Sequence, residues 1–142
     1  MKEEIIIDGK LAAILLKAGY DESGIHFFTS SELSQQLASM SYPAGKIIPA
    51  HTHRPVRRDV FSTQEALFIR KGKLRVDFYS SEQEYRCSRI LQIGDVILLV
   101  AGGHGFEVLE ELNMVEIKQG PYAGDGDKVT FIPATPLKLN FE

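Results

Sequence analysis

Between Glu65 and Tyr79 the chain alternates apolar and polar residues with a period of two, broken once by a glycine. Glu65, Leu67 and Ile69 fall on one face and Ala66, Phe68 and Arg70 on the other. After Lys71-Gly72-Lys73, the residues Leu74, Val76 and Phe78 resume an inward face, with Arg75, Asp77 and Tyr79 outward. A strand with one apolar face must bury that face against other strands, so this stretch commits the chain to a β architecture. The glycine between the two alternating runs reads as the turn of a hairpin.

The remaining segments agree. Glu4–Ile7 and Leu11–Lys17 read as strands around the turn signal Asp8-Gly9. Ser30 stands as an N-cap ahead of a short expected helix, Glu32–Leu37. Pro43-Ala44-Gly45 opens a further expected strand. Gly94-Asp95 turns into Val96–Val100, whose unbroken apolar run predicts a strand buried on both faces. Gly102-Gly103 then turns the chain to His104. Phe106–Leu109 and Met114–Lys118 read as a last hairpin around Glu111–Asn113, and the proline- and glycine-rich stretch from Gly120 reads as an extended, wrapping segment. Short antiparallel strands at close intervals predict an all-β sandwich or barrel.

At 142 residues the chain is expected to form one domain, with a core over about 44–131 preceded by N-terminal strands and a short helix in 1–43. Hydrophobic and charged contents of 44% and 25% are those of a soluble globular protein. A net charge of −3 argues against a nucleic-acid partner. The longest apolar stretch, Val96–Ala101, is too short to span a membrane, and the acidic start lacks the features of a signal peptide. Cys87 is the only cysteine, so no internal disulfide forms and a cytoplasmic setting is expected.

Three of the four histidines fall in one pattern. On an extended strand His51 and His53 point the same way, and Glu65 and His104 follow on later strands. Imidazoles and a carboxylate converging from paired strands would hold one divalent metal; zinc, manganese, iron and nickel all suit such donors. The alternative is exposed or core-satisfied histidines, the reading applied to His26 beside Phe27 and Phe28. Arg54, Arg57 and Arg58 crowd the stretch after His53, either as a fork for a phosphate or carboxylate or as a solvated loop. Tyr79, Tyr85 and Tyr122 are more in keeping with outward strand tyrosines than with acid–base groups, and nothing marks Cys87 as a nucleophile.

The pattern Gly45, His51, His53, Glu65 and Gly72 resembles the first motif of the cupins, G-x5-H-x-H followed by E-x6-G, with both spacings intact. It departs in the eleven residues between His53 and Glu65, where the motif has three or four. The second motif is partial: Gly94 and His104 stand in place, without the usual proline and asparagine. Val115 to Asp127 is similar to the segment closing the cupin domain of type II phosphomannose isomerases, with Glu116, Gly120, Tyr122, Gly124 and Asp127 in register. The resemblance implies a double-stranded β-helix, or jelly-roll barrel, built as a homodimer. It also implies a metal on His51, His53, Glu65 and His104, and a small polar, carbohydrate-like ligand, with Lys118 and Tyr122 near it. Isomerase or epimerase chemistry by Lewis-acid catalysis is the activity expected. An iron-dependent dioxygenase and a non-catalytic binding module are the alternatives.

Overall fold

A computed structural model describes residues 1–142. Its strands are β1 (Lys2–Ile7), β2 (Lys10–Leu16), β3 (Gly24–Phe27), β4 (Ala38–Ser41), β5 (Glu65–Tyr79), β6 (Tyr85–Gln92), β7 (Val96–Leu99) and β8 (Gly103–Lys118), with a single 3-10 turn at Gly124–Asp127. The fold is all-β. Six strands form one antiparallel sheet in the order β1-β2-β7-β5-β6, with β8 on the other edge of β5, and β3 and β4 form a separate small hairpin. The sheet is strongly curled into a half-barrel.

The curl originates in the long β5–β8 ribbon. Along one edge β5 pairs first with β7 (Glu65–Phe68) and then with β6 (Lys73–Tyr79), while β8 follows its other edge from end to end. The two hairpins expected at Gly72 and at Glu111–Asn113 are therefore not formed. Both strands run straight through these points, and the register shifts three times between Ile69 and Leu74. Gly72 has φ +83°, and a Cβ there would overlap the Glu111 carbonyl of the facing strand. Glycine here lets two strands bend together as a bulged corner, a use of glycine that alternation alone does not distinguish from a turn. The bulge has a second effect: Leu67 and Ile69 are odd-numbered and Leu74, Val76 and Phe78 even-numbered, yet all five face one core.

That core joins these residues to Ile5, Ile7, Ala13 and Leu15 of the first hairpin and to Leu91, Ile97 and Leu99. A smaller cluster of Ala66, Leu98 and Val100 lies on the opposite face of the sheet under Leu11, Leu33 and Leu37. β7 is thus buried on both faces, as its unbroken apolar run predicts. The first hairpin also turns at Asp8-Gly9 as expected. Asp95 pins the start of β7. Its buried carboxylate accepts from Lys17 Nζ at 2.9 Å and from the backbone N–H groups of Ala18 and Gln92, each at 3.0 Å.

Three further expectations need correction. The helix over Glu32–Leu37 is absent; the segment is a series of turns. Side chains capture the backbone there: Ser30 Oγ accepts from Glu32 N–H, Thr29 Oγ1 accepts from Leu37 N–H, and Gln36 donates to the Ser30 and Leu33 carbonyls. Such local bonds compete with a helical ladder. Second, no strand forms after Gly45; residues 42–63 are an exposed arm without regular structure. Third, Asp77 and Tyr79 are buried rather than outward, because the C-terminal segment covers them. Phe131 stacks edge-on against Tyr79 at 5.2 Å, and Asn140 binds β6 through the Ser88 N–H, the Arg86 carbonyl and the Tyr85 hydroxyl. Beneath that strap, Asp77 takes a forked contact from Arg75 and accepts from Ser88 Oγ at 2.5 Å.

Candidate functional site

β5 and β8 each curl so far that their distant ends approach one another. Glu65 opens β5 opposite Leu99 of β7 on one side and Lys118 of β8 on the other. From Leu99 the chain needs only the short turn Val100–Gly102 to begin β8. At that turn a Cβ on Gly102 (φ +79°) would crowd the Tyr79 carbonyl. His104, which pairs with Phe78 near the far end of β5, is thereby delivered to Glu65. Its Nε2 lies 3.2 Å from Glu65 Oε2, with 19% of the Glu65 side chain and 29% of the His104 side chain exposed. The contact with His104 holds the Glu65 carboxyl below its ordinary range, outweighing burial, which pushes the other way; Lys118 and Lys128 reinforce the effect.

This pair sits in a cleft of about 350 Å³ at the mouth of the half-barrel. Glu116 and Lys118 enter from the end of β8, and Asp127, Lys128 and Phe131 from the C-terminal segment. Phe106 lies beside the His104 ring at 5.3 Å. Thr63 Oγ1 donates to Asp127 Oδ2 at 3.1 Å, tying the root of the arm to the C-terminal segment. Behind it, Gln64 N–H donates to Gln119 Oε1, and Gln64 accepts through both its side-chain and backbone oxygens from Gln35. The cleft therefore has a fixed rim as well as a fixed floor.

Of the residues singled out from sequence, the structure brings Glu65, His104 and Lys118 together. His51 and His53 lie next to each other, with ring centroids 5.2 Å apart, but on the exposed arm. Arg54, Arg57 and Arg58 are on the same arm and turned to solvent; Arg57 contacts only Asp59, at 4.0 Å. Tyr122 is exposed and does not line the cleft. The phenol of Tyr79 is pushed up by burial and by Asp77, which suits a packed tyrosine and not an acid–base group. His26 accordingly has a local role, its Nε2 lying 2.8 Å from the Ser23 carbonyl. Sequence reasoning gave no weight to Lys128, Phe131 or Thr63. Their place in the cleft follows from the path of the C-terminal segment, which no motif encodes.

The donor set can be tested against a resident metal. Glu65 and His104 offer two donors at one place, and His51 with His53 two at another. Glu116 and Asp127 line the same cleft as Glu65 and His104, but no three His, Cys, Asp or Glu side chains are placed closely enough to share one ion. A protein metal centre uses three or four such ligands, so one chain in this arrangement does not fit the metal. What the cleft does hold is a carboxylate-braced imidazole. That arrangement orients the ring and leaves Nδ1 available to accept or donate a proton.

No protein-family model, no curated protein and no solved structure matches this chain.

Proposed function

We propose that the chain is a cupin-type protein whose cleft takes a small, polar, carbohydrate-like ligand bearing an anionic group. The observation that carries this reading is the Glu65–His104 pair, half-buried and flanked by Lys118 and Lys128. Carboxylates and an imidazole suit hydroxyl groups, the two ammonium groups suit a phosphate or carboxylate, and the rings of Phe106 and Phe131 suit the apolar face of a sugar. The cleft volume of about 350 Å³ is that of a small-molecule site. An imidazole held by a carboxylate also suits removal of a proton from the carbon beside a carbonyl, the step shared by sugar isomerases and epimerases.

Thermal denaturation with a panel of sugar phosphates and their unphosphorylated parents tests the reading. A phosphorylated sugar should raise the melting temperature of the wild type and leave Lys118→Ala and Glu65→Gln unmoved. No shift with any member of the panel, or an equal shift in both variants, would overturn it.

A further inference from the structure

Two parts of this molecule lack partners, and they match one another. β8 pairs only with β5, and no backbone group of β8 bonds to anything else, so its outer edge is an open row of donors and acceptors. Phe106, Val108, Leu109, Val115 and Ile117 are exposed along it. An uncovered apolar edge strand of this length is a template for a further strand. The second part is the arm. Every residue from Tyr42 to Thr63 is exposed, and no backbone group between Ile47 and Phe61 makes a hydrogen bond to another backbone group. The arm nevertheless presents Ile47, Ile48, Val56, Val60 and Phe61 to solvent.

Charge separates the two in the complementary sense. The arm carries Lys46, Arg54, Arg57 and Arg58 against the single acid Asp59, whereas β8 carries Glu107, Glu110, Glu111 and Glu116 against Lys118. Three of those acids already touch β5 cations: Glu107 with Arg75, Glu110 with Lys73 and Glu111 with Lys71. Their side chains remain 56%, 59% and 84% exposed, so each keeps acceptor capacity for an incoming arginine. The arm runs from the end of β4 at Ser41 to the Gln64 clamp, and between them it makes no backbone hydrogen bond to its own β8.

We infer that the arm lies along the open β8 edge of a second copy of this chain, in a reciprocal exchange. Each copy gives an arm and receives one, so a two-fold pairing closes and leaves neither edge open. The exchange brings the second copy's His51 and His53 to the open edge of the strand that carries His104.

Light scattering on the purified full chain reads the first part. The exchange requires twice the 15.9 kDa chain mass, and Ile48→Asp with Phe61→Asp, both at exposed positions, should return the protein to single-chain mass with its circular dichroism unchanged. Cross-linking reads the second. A copy bearing Ile48→Cys is mixed with a differently tagged copy bearing Val108→Cys and treated with a short bis-maleimide; the buried Cys87 stays silent. Bridging between the two tags supports the exchange. Single-chain mass in the wild type overturns it, as does a dimer that does not bridge. So does bridging confined within one doubly substituted chain, which would mean that the arm folds onto its own β8. Glu65→Gln should keep the double mass while losing the ligand-induced thermal shift. A dimer that bridges but shows no ligand response even in the wild type would therefore sink the cleft reading and leave the exchange standing.

Discussion

Gly72 lies against the backbone carbonyl of Glu111 so closely that no side chain fits between them. This approach is where two adjacent strands bend together. The curl of the β5–β8 ribbon, which runs from the Glu65 end to the His104 end, passes through that corner.

Gly72→Ala should therefore cost more than an ordinary surface change. A positive φ alone costs a non-glycine residue about 1–2 kcal/mol, and displacing backbone adds to it. Urea denaturation should show a loss of about 2 kcal/mol or more, with Gly19→Ala, which has open space around it and no positive φ, as the mild control.

Asp95 is 1% exposed and satisfies an ammonium and two backbone N–H groups at the β6–β7 turn. Asp95→Ala strands those donors. Loss of a buried acceptor of this kind costs about 3 kcal/mol, measurable as a fall in melting temperature. Asp95→Asn, which keeps one acceptor oxygen, should fall between the two.

The Glu65 carboxyl is held below its ordinary value of 4.5 by His104. A depressed carboxyl contributes stability above that value and loses it as pH falls through the lower folded value. The stability gap between wild type and Glu65→Gln should therefore shrink as the pH is lowered from about 6 to about 3. A gap that is constant over this range would mean that the pair is not formed in solution.

Burial pushes the Cys87 thiol above its usual 9.0. Its folded state favours the neutral thiol, so stability should be flat below that value and decline as the pH rises through it. At neutral pH a thiol-specific reagent should react slowly with the native protein and quickly once it is unfolded in urea.

Strand positions were legible in the sequence wherever one face met a core. Alternation located β5, the unbroken run located β7, and Asp8-Gly9 located the first turn. Corners were not legible, because a glycine that bends two strands together and one that reverses a chain leave the same mark between alternating runs. The helix expected after Ser30 failed because the same serine and threonine chemistry that caps a helix also sustains turns. In the cleft, Glu65 and His104 were legible from their spacing, whereas Lys128 and Phe131 reach it through a segment without periodicity. His51 and His53 were legible as a pair. Their separation from Glu65 follows from the arm, which forms no strand in this chain and so has no pairing to carry it to β5.

Asn140 holds the far end of the C-terminal segment on β6 by backbone and side-chain bonds, while Gln119 holds its near end against Gln64 and Ser34. The stretch that delivers Asp127, Lys128 and Phe131 to the cleft is thus a loop tethered at both ends rather than a trailing tail. Its closure entropy is offset once, at the Asn140 latch. Whatever loosens that latch on β6 would slacken the cleft's roof without touching a single residue of its floor.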